Sequence, residues 1–440
     1  MKSVVTQDVK MGERSLMAII HVHFDWEFGE FDYDDEEFEI ISYYRGSCHR
    51  RLHYIGTKTN GEDIIIPDGI RDCTKMFEDC TFLITAPRIP KTVDNCDSMF
   101  KGCTSLEAAS KIPYDVECCT NMFEGCSSLK VAPRIPDNAK NCRGMFIGCS
   151  SLETTPEIPD SVRYCSWMFE GCSSLKVARR ISDNAENCRG MFYGCSSLEI
   201  APAIPDKVRD CDFMFEGCSS LKVAPKIPDN ASCVSMFKGC SSLETAPEIP
   251  SVYSGIWDCE SMFEDCISLK IAPVIPKRIL GCSKMFKGCS SLETAPVIPD
   301  RASCNHMFEG CAGLKVAPKI PEKALNCESM FEGCTSLEIA PVIPEKVENC
   351  KSMFKGCTSL EIAPIIPEKV ENCESMFEGC TSLIDTPILP EGIKYCKSMF
   401  EGCTSLEVAP EMVPIGIWDC KDMFKDCTSL KKRPILMIIL

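Results

Sequence analysis

The chain has 440 residues, and its 64 acidic and 47 basic side chains give a formal net charge of -17. This acidity argues against binding nucleic acid or an anionic membrane through bulk electrostatics. No stretch has the roughly 18 apolar residues of a membrane helix, and the start lacks the basic and apolar regions of a secretory signal. We therefore expect no membrane insertion, and a cytoplasmic or virion-borne location.

Residues 1–62 do not repeat. Aromatic residues mixed with Asp and Glu predict two or three strands, which form either a small, mainly β N-terminal cap or an attachment segment. Four of the five histidines lie in this segment together with Cys48, namely His21, His23, His49 and His53. His and Cys are zinc ligands, but no C-x-x-C pair completes a set. Ordinary strand or loop residues are favoured over a metal site, and no metal or cofactor is expected.

Residues 63–440 consist of about sixteen copies of a 23-residue unit. The copy at 349–371 reads N-C-K-S-M-F-K-G-C-T-S-L-E-I-A-P-I-I-P-E-K-V-E. A fixed period of this size predicts a solenoid, because one coil cannot bury its apolar side without its neighbours. The first cysteine of the unit recurs at Cys73, Cys96, Cys119, Cys142, Cys165, Cys188, Cys211, Cys233, Cys259, Cys282, Cys304, Cys327, Cys350, Cys373, Cys396 and Cys420.

The first half of each unit has helical spacing. Cys350, Phe354 and Cys357 stand at i, i+4 and i+7, which predicts a short helix or 3₁₀ turn that points this stripe inward. The residue before the second cysteine is Gly in thirteen copies and Asp in three. Both tolerate a left-handed conformation, so we expect the helix to end there.

The second half carries β-branched residues bounded by prolines. We expect a strand of about four residues around each Leu, stacked in parallel on its neighbours, with residues such as Leu106 and Leu360 in the core. The prolines, which lack an N–H group, end the strand. The predicted fold class is an α/β repeat solenoid with one short parallel strand and one short helical or 3₁₀ turn per coil.

The repeated pattern resembles a known family. C-x-S-L-x-x-A-P-x-I-P-x-x-V-x-x-C-x-x-M-F-x-G-C is similar to the BspA-like leucine-rich repeat and to the M-F-x-x-C-x-x-L repeats of bacterial surface proteins and some phage tail proteins. Met before Phe, Cys four residues before Phe and an added Ala-Pro depart from that pattern. The resemblance implies a leucine-rich-repeat-like fold and an adhesin or interaction protein, which is commonly located at the cell surface.

Cysteine is abundant, and thirty-two of the 34 cysteines occupy the two fixed phases of the repeat. Seven helical residues rise about 10 Å, too far for a bridge within one coil. Equivalent residues of stacked coils lie about 4.8 Å apart, although their parallel Cβ vectors suit a disulfide poorly. Buried free thiols are the favoured interpretation, and bridges between coils are the alternative.

The residue after each core Leu forms a row of alternating charge. Stacked opposite charges would stabilise the register, and a charged face that binds a ligand is the alternative interpretation. The row, broken first by Glu361, consists of Glu107, Lys130, Glu153, Lys176, Glu199, Lys222, Glu244, Lys270, Glu293, Lys315 and Glu338.

Two coils contain G-I-W-D-C, which places Trp257 and Trp418 at equivalent phases. An exposed Trp would anchor a partner, whereas a packed one would cover a widened corner. Residues inserted before Trp257 mark this corner as a candidate binding face, because insertions often map to the binding side of a solenoid.

These features favour binding over catalysis. Within the repeats only His306 could serve as a base, so no catalytic residues and no enzymatic activity are expected. The predicted function is a non-enzymatic scaffold that presents a repeat surface to a protein or glycan. The main alternative is a structural protein that assembles end to end through the apolar tail, Ile435 to Leu440, and a redox or metal-storing role for the cysteine rows is a third hypothesis.

Overall fold

The computed structural model describes residues 43–44, 47–48, 59–60, 64, 66, 68–251, 257–410, 413–414 and 416–431. The chain forms two compact units, Met1–Cys218 and Ser219–Leu440. Most of the predicted N-terminal segment, including His21, His23, His49 and His53, lies outside the described residues, as does the tail Ile435 to Leu440. The boundary at residue 62 stays a prediction.

The strands within the described residues are short. In the first unit, β1 (Tyr43–Tyr44) pairs antiparallel with β2 (Ser47–Cys48), and β3 (Thr59–Asn60) pairs parallel with β4 (Leu83–Thr85). In the second unit, β5 (Trp257–Asp258) pairs parallel with β6 (Ile279–Gly281).

Each repeat forms one coil that buries the same apolar positions. Both cysteines, Met, Phe and Leu are buried in coil after coil, as the sequence predicts for the cysteines, Phe and Leu. The coil at 349–371 buries Cys350, Met353, Phe354, Cys357, Leu360, Ile366 and Val370, none more than 4% exposed. These buried side chains account for the dependence of each coil on its neighbours.

The predicted helix is not formed in the described part of the repeats, where the segment is a six-residue turn. Alternate N–H groups leave the coil: Ser352 donates to Glu374 O at 2.8 Å and Phe354 to Met376 O at 2.9 Å. The groups between them close local turns, such as Met353 N–H to Cys350 O at 3.1 Å. A helix would need every N–H to stay within the segment.

Two left-handed residues per coil explain this turn. The residue before the second cysteine has positive φ in every copy, at +72° for Gly356 and +63° for Asp79. This confirms the interpretation of the Gly and Asp pattern. A second left-handed residue lies four positions earlier, at Ser352 (+51°), where no Gly or Asp marks it in the sequence of that coil. It interrupts the right-handed helical path.

The predicted four-residue strand is shortened in most coils to a single bridge two residues after Leu, as between Ile339 and Ile362. The N–H of Leu360 turns back to Cys357 O at 3.2 Å, so it does not join a ladder. Pro364 lacks an N–H and prevents extension on the other side. A second column of bridges lies before the first cysteine, as between Asn349 and Asn372.

Candidate binding surfaces

The charged row lies on the solvent side of each unit. Its members follow the buried Leu residues, are exposed and are joined by backbone hydrogen bonds, such as Lys176 N–H to Glu153 O at 3.1 Å. The stacking predicted for this row is therefore present. None of these eleven residues forms an ion pair within the described part of the chain, although Glu407 and Lys431, at the same phase of later coils, pair with each other. The alternating charges are adjacent but open to solvent and to ligands.

Close ion pairs form instead in a row that the sequence reasoning missed. This row consists of the residue between Phe and Gly in each coil. Its charge alternates less regularly along the chain, but the side chains of neighbouring coils contact each other. Lys101 contacts Glu124 at 2.9 Å, and Lys355 contacts Glu378 at 3.2 Å. This position lies beside the left-handed turn, where neighbouring backbones approach closely. Pairing along this row favours the register of the coils.

The two predicted tryptophan sites differ in what the structure describes. Trp418 is 71% exposed and meets the ring of Tyr395 edge-on, with centroids 5.5 Å apart. Lys394 Nζ lies 5.8 Å from the Trp418 ring centroid. Trp257 contributes backbone to β5, and its side chain is outside the described part of the chain. A binding role for both residues stays a prediction.

An apolar row that the sequence reasoning did not single out faces solvent beside the charged row. It consists of the Val and Ile residues that lie two positions after Leu, where the coils form backbone bridges. Leu360 is fully buried, whereas Ile362 is 77% exposed. In a regular strand these two side chains would share one face. The turn at Leu360 separates them, and Ile362 is left without cover.

A second exposed row lies between the two prolines of each repeat, and in the second unit it is mostly apolar. Its apolar members there are Val274, Val297, Val342, Ile365 and Ile388, each at least 85% exposed. Equivalent positions of the first unit hold charged residues such as Arg134, Glu157 and Arg180. We call the block formed by Ile339, Val342, Ile362, Ile365 and Ile388 the apolar face. Contiguous exposed patches of this kind are uncommon on soluble proteins.

Carboxylates border the apolar face. Glu338 and Glu361 precede Ile339 and Ile362, and Asp385 occupies the next position of the bridge row. All three are exposed, and none forms an ion pair with another described residue. The face therefore combines apolar contact area with uncompensated negative charge.

The first unit contains an aromatic cluster on its turn side. The ring of Trp167 stacks near Phe213, with centroids 6.2 Å apart at 22°, and meets Tyr193 edge-on at 5.8 Å. Arg189 lies over the Phe213 ring at 4.6 Å and contacts Asp212 at 2.8 Å. The sequence signal was available, because Trp167 and Phe213 replace the Ser, Gly or Asn of other coils and Tyr193 replaces their Glu or Lys.

The cysteines of the repeats are free thiols, and nearly all are buried in the described residues, as predicted. The second cysteine donates to the Phe carbonyl of the preceding coil, as from Cys357 Sγ to Phe331 O at 3.1 Å. Burial raises the pKa of Cys304 and Cys334 to about 12. A raised pKa disfavours the thiolate, which is the form that reacts and binds metals.

Neither a metal centre nor a membrane span is evident in the residues that the structure describes. No group of three or more His, Cys, Asp or Glu side chains there is placed to hold a metal ion. Likewise, none of the described segments is a helix of sufficient length and hydrophobicity to span a bilayer.

The coil geometry and the solvent-facing rows define a repeat solenoid in each unit. The family model described as BspA type leucine-rich repeat region (6 copies) matches residues 56–153, 98–222, 141–270, 212–338 and 304–431. These overlapping matches cover most of the chain, which therefore belongs to the BspA-type leucine-rich repeat family. No curated protein and no solved structure matches it.

Proposed function

We propose that this protein is a non-enzymatic binding scaffold whose apolar face holds a protein partner, in an adhesion or host-interaction role. The observation that carries the proposal is the exposure of Ile362, Ile365 and Ile388, which are 77%, 87% and 89% exposed. Leaving such side chains in water forgoes about 25 cal/mol for each Å² that a partner could cover. The family is compatible with this role.

The spacing of the face along the unit is close to the pitch of a helical partner segment, about 5.4 Å. The bridge between Ile339 and Ile362 sets adjacent coils at strand spacing, so anchor side chains repeat about every 4.8 Å along the unit. A partner could place apolar residues against several coils at once. Each contact would be small, but a row of contacts adds area without requiring a deep pocket.

The charge of the face specifies the partner further. Glu338, Glu361 and Asp385 border the apolar residues without an ion pair in the described part of the chain. A segment with apolar residues flanked by Lys or Arg would complement them and associate faster at low salt. A second copy of the chain would bring like charges together, because the protein carries a net charge of -17.

A displayed library of random peptides tests the proposal even though the partner is unidentified. Selection on the intact protein should enrich basic, apolar sequences. The triple variant Val342→Lys, Ile365→Lys and Ile388→Lys should lose their binding. Lys319 already occupies the same position in another coil, so the solenoid accepts lysine there.

A matched control separates loss of the face from added charge. The triple variant Thr335→Lys, Thr358→Lys and Thr381→Lys adds the same charge to the same coils at another row. It should retain most of the binding. If no peptide is enriched, or if both triple variants bind equally well, the apolar face is not the docking surface.

End-to-end assembly is the alternative function, in which the tail Ile435 to Leu440 joins successive copies. Sedimentation at increasing protein concentration separates the two roles, because filaments lengthen and a binding scaffold does not. Growth that stops when these six residues are deleted would favour the structural role. If filament growth instead requires Ile362 and Ile365, the apolar face is a self-association surface.

A further inference from the structure

A depression in the first unit lies beside the indole of Trp167 and is separate from the apolar face. Its lining consists of Lys101, Thr120, Asn121, Glu124, Arg143, Ile147, Trp167 and Glu170. The depression is shallow and open to solvent. It combines one large aromatic surface with six polar or charged side chains that could bond a polar ligand.

The conformation of Trp167 is unusual. Its φ is +58°, and Phe213, at the same phase two coils later, has φ of +59°. The left-handed region disfavours residues with a Cβ, and a bulky residue there is a genuine outlier. Other coils place Gly or Ser at this phase, such as Gly190 and Ser352. The aromatic residues are not required to form the turn, and such outliers cluster at ligand sites.

Gly190 creates the space that the indole occupies. A Cβ on Gly190 would lie 2.1 Å from Trp167 Cε3 and Cζ3, so only glycine allows the ring to rest there. Phe213 and Tyr193 support the ring from the following coils. Arg189 in turn covers Phe213. The indole is therefore held as a platform whose remaining surface borders the depression.

The polar lining supplies both donors and acceptors. Lys101 and Glu124 pair at 2.9 Å and neutralise each other. Arg143, Glu170 and the Asn121 amide have no side-chain partner within the described residues. They therefore offer guanidinium and amide donors beside carboxylate and amide acceptors. With two basic and two acidic residues, the formal charge of the lining is zero.

We propose that this depression binds a saccharide, with one sugar ring stacked on Trp167 and its hydroxyl groups bonded to Asn121, Arg143 and Glu170. A hydroxyl both donates and accepts, so a polyhydroxylated ring satisfies all three groups. The C–H groups of a pyranose face carry partial positive charge and meet the electron-rich indole surface. An open depression suits one unit of a longer glycan chain.

A cationic ligand fits this lining less well. Trp167 and Glu170 would attract an ammonium group, and burial together with the charge of Glu124 raises the pKa of Glu170. Arg143 and Lys101 lie in the same lining and would repel a cation. The balanced charge therefore favours a neutral ligand. The inference rests on the proposed binding role but uses a different surface in a different unit.

Calorimetric titration of the intact protein with neutral hexasaccharides of glucose, mannose, xylose and N-acetylglucosamine tests the proposal. At least one should bind, and Trp167→Ser should weaken its affinity about tenfold or more. Asn121→Ser should weaken it several-fold. Serine is native at this phase in Ser235 and Ser352, so both variants should keep the fold, which circular dichroism would verify.

Lys284→Ser changes the same phase in the second unit and should leave saccharide affinity unchanged. The proposal is wrong if none of the hexasaccharides binds at millimolar concentration, or if Trp167→Ser binds as well as the native protein. Tighter binding of tetramethylammonium than of any saccharide would assign the site to cations and overturn the saccharide proposal.

The lysine variant of the apolar face separates the two proposals. It should lose peptide binding but retain saccharide binding, whereas Trp167→Ser should show the reverse. Failure of saccharide binding alone leaves the apolar-face function standing.

Discussion

The ring of Phe354 lies parallel to that of Phe377, with centroids 5.7 Å apart and an interplanar angle of 8°. Both residues are fully buried. The same stacking recurs along the described coils of each unit, as between Phe146 and Phe169 at 5.5 Å and 2°. A ring in the interior of a unit thus has a ring on each side, and the column joins the interiors of consecutive coils.

Phe354→Ala should therefore lower the free energy of unfolding by about 3–5 kcal/mol, because it removes a buried ring and leaves a cavity between two others. Urea denaturation would measure the loss. Val342→Ala is the matched control, since Val342 is 85% exposed, and should change stability by less than about 0.5 kcal/mol. Equal losses of stability from the two substitutions would show that the column of stacked Phe rings does not stabilise the fold more than an exposed side chain does.

Stability should fall steeply as the pH rises above about 9. Burial raises the pKa of Cys282, Cys304 and Cys334 from 9.0 to about 12. Below pH 9 the thiol keeps its proton in both the folded and the unfolded state. Between pH 9 and 12 the unfolded chain releases this proton and the folded chain does not. Over that range each such thiol lowers the free energy of unfolding by about 1.4 kcal/mol per pH unit.

Urea denaturation at several pH values between about 8 and 11 would test this. In the Cys304→Ala variant the free energy of unfolding should fall less steeply with pH, by the contribution of one thiol. A stability that stays constant across this range would show that the thiols titrate equally in the folded and unfolded states.

The stability cost of substituting Gly356 should depend more on how well the new residue tolerates a positive φ than on the space around its side chain. A Cβ there would lie 3.7 Å from Gly333 Cα, an ordinary contact, but φ is +72°. Gly356→Val should cost about 1–2 kcal/mol, and Gly356→Asn should cost clearly less. Thermal denaturation would rank the variants. A larger loss for Asn than for Val would mean that another constraint dominates this turn.

The charged row should contribute modestly and in a salt-dependent way. Lys176→Glu would place three carboxylates in adjacent coils, with Glu153 and Glu199 on either side. We expect a loss of roughly 0.2–1 kcal/mol at low ionic strength, which disappears at high salt. Lys176→Gln is the control that removes charge without adding repulsion. A salt-independent loss would point to packing rather than charge.

The sequence by itself determined the period, the burial of the cysteines, Phe and Leu, and one of the two left-handed sites. Those features follow from residue chemistry: apolar side chains at Phe354 and Leu360 must leave water, and Gly or Asp at a fixed phase permits positive φ. The spacing of Cys350, Phe354 and Cys357 suggested a helix. It could not distinguish a helix from a turn stacked on its neighbours, because both backbones can bury these three positions.

Only the tertiary structure decided between those backbones, since the N–H groups of Ser352 and Phe354 find partners in the next coil rather than in their own. It also decided which side chains stay in water. Leu360 and Ile362 are two residues apart and equally apolar, yet the chain leaves the turn that ends at Leu360 with one buried and the other exposed. Likewise, Trp167, Gly190 and Phe213 form one platform only because stacking brings residues 23 and 46 positions apart close together.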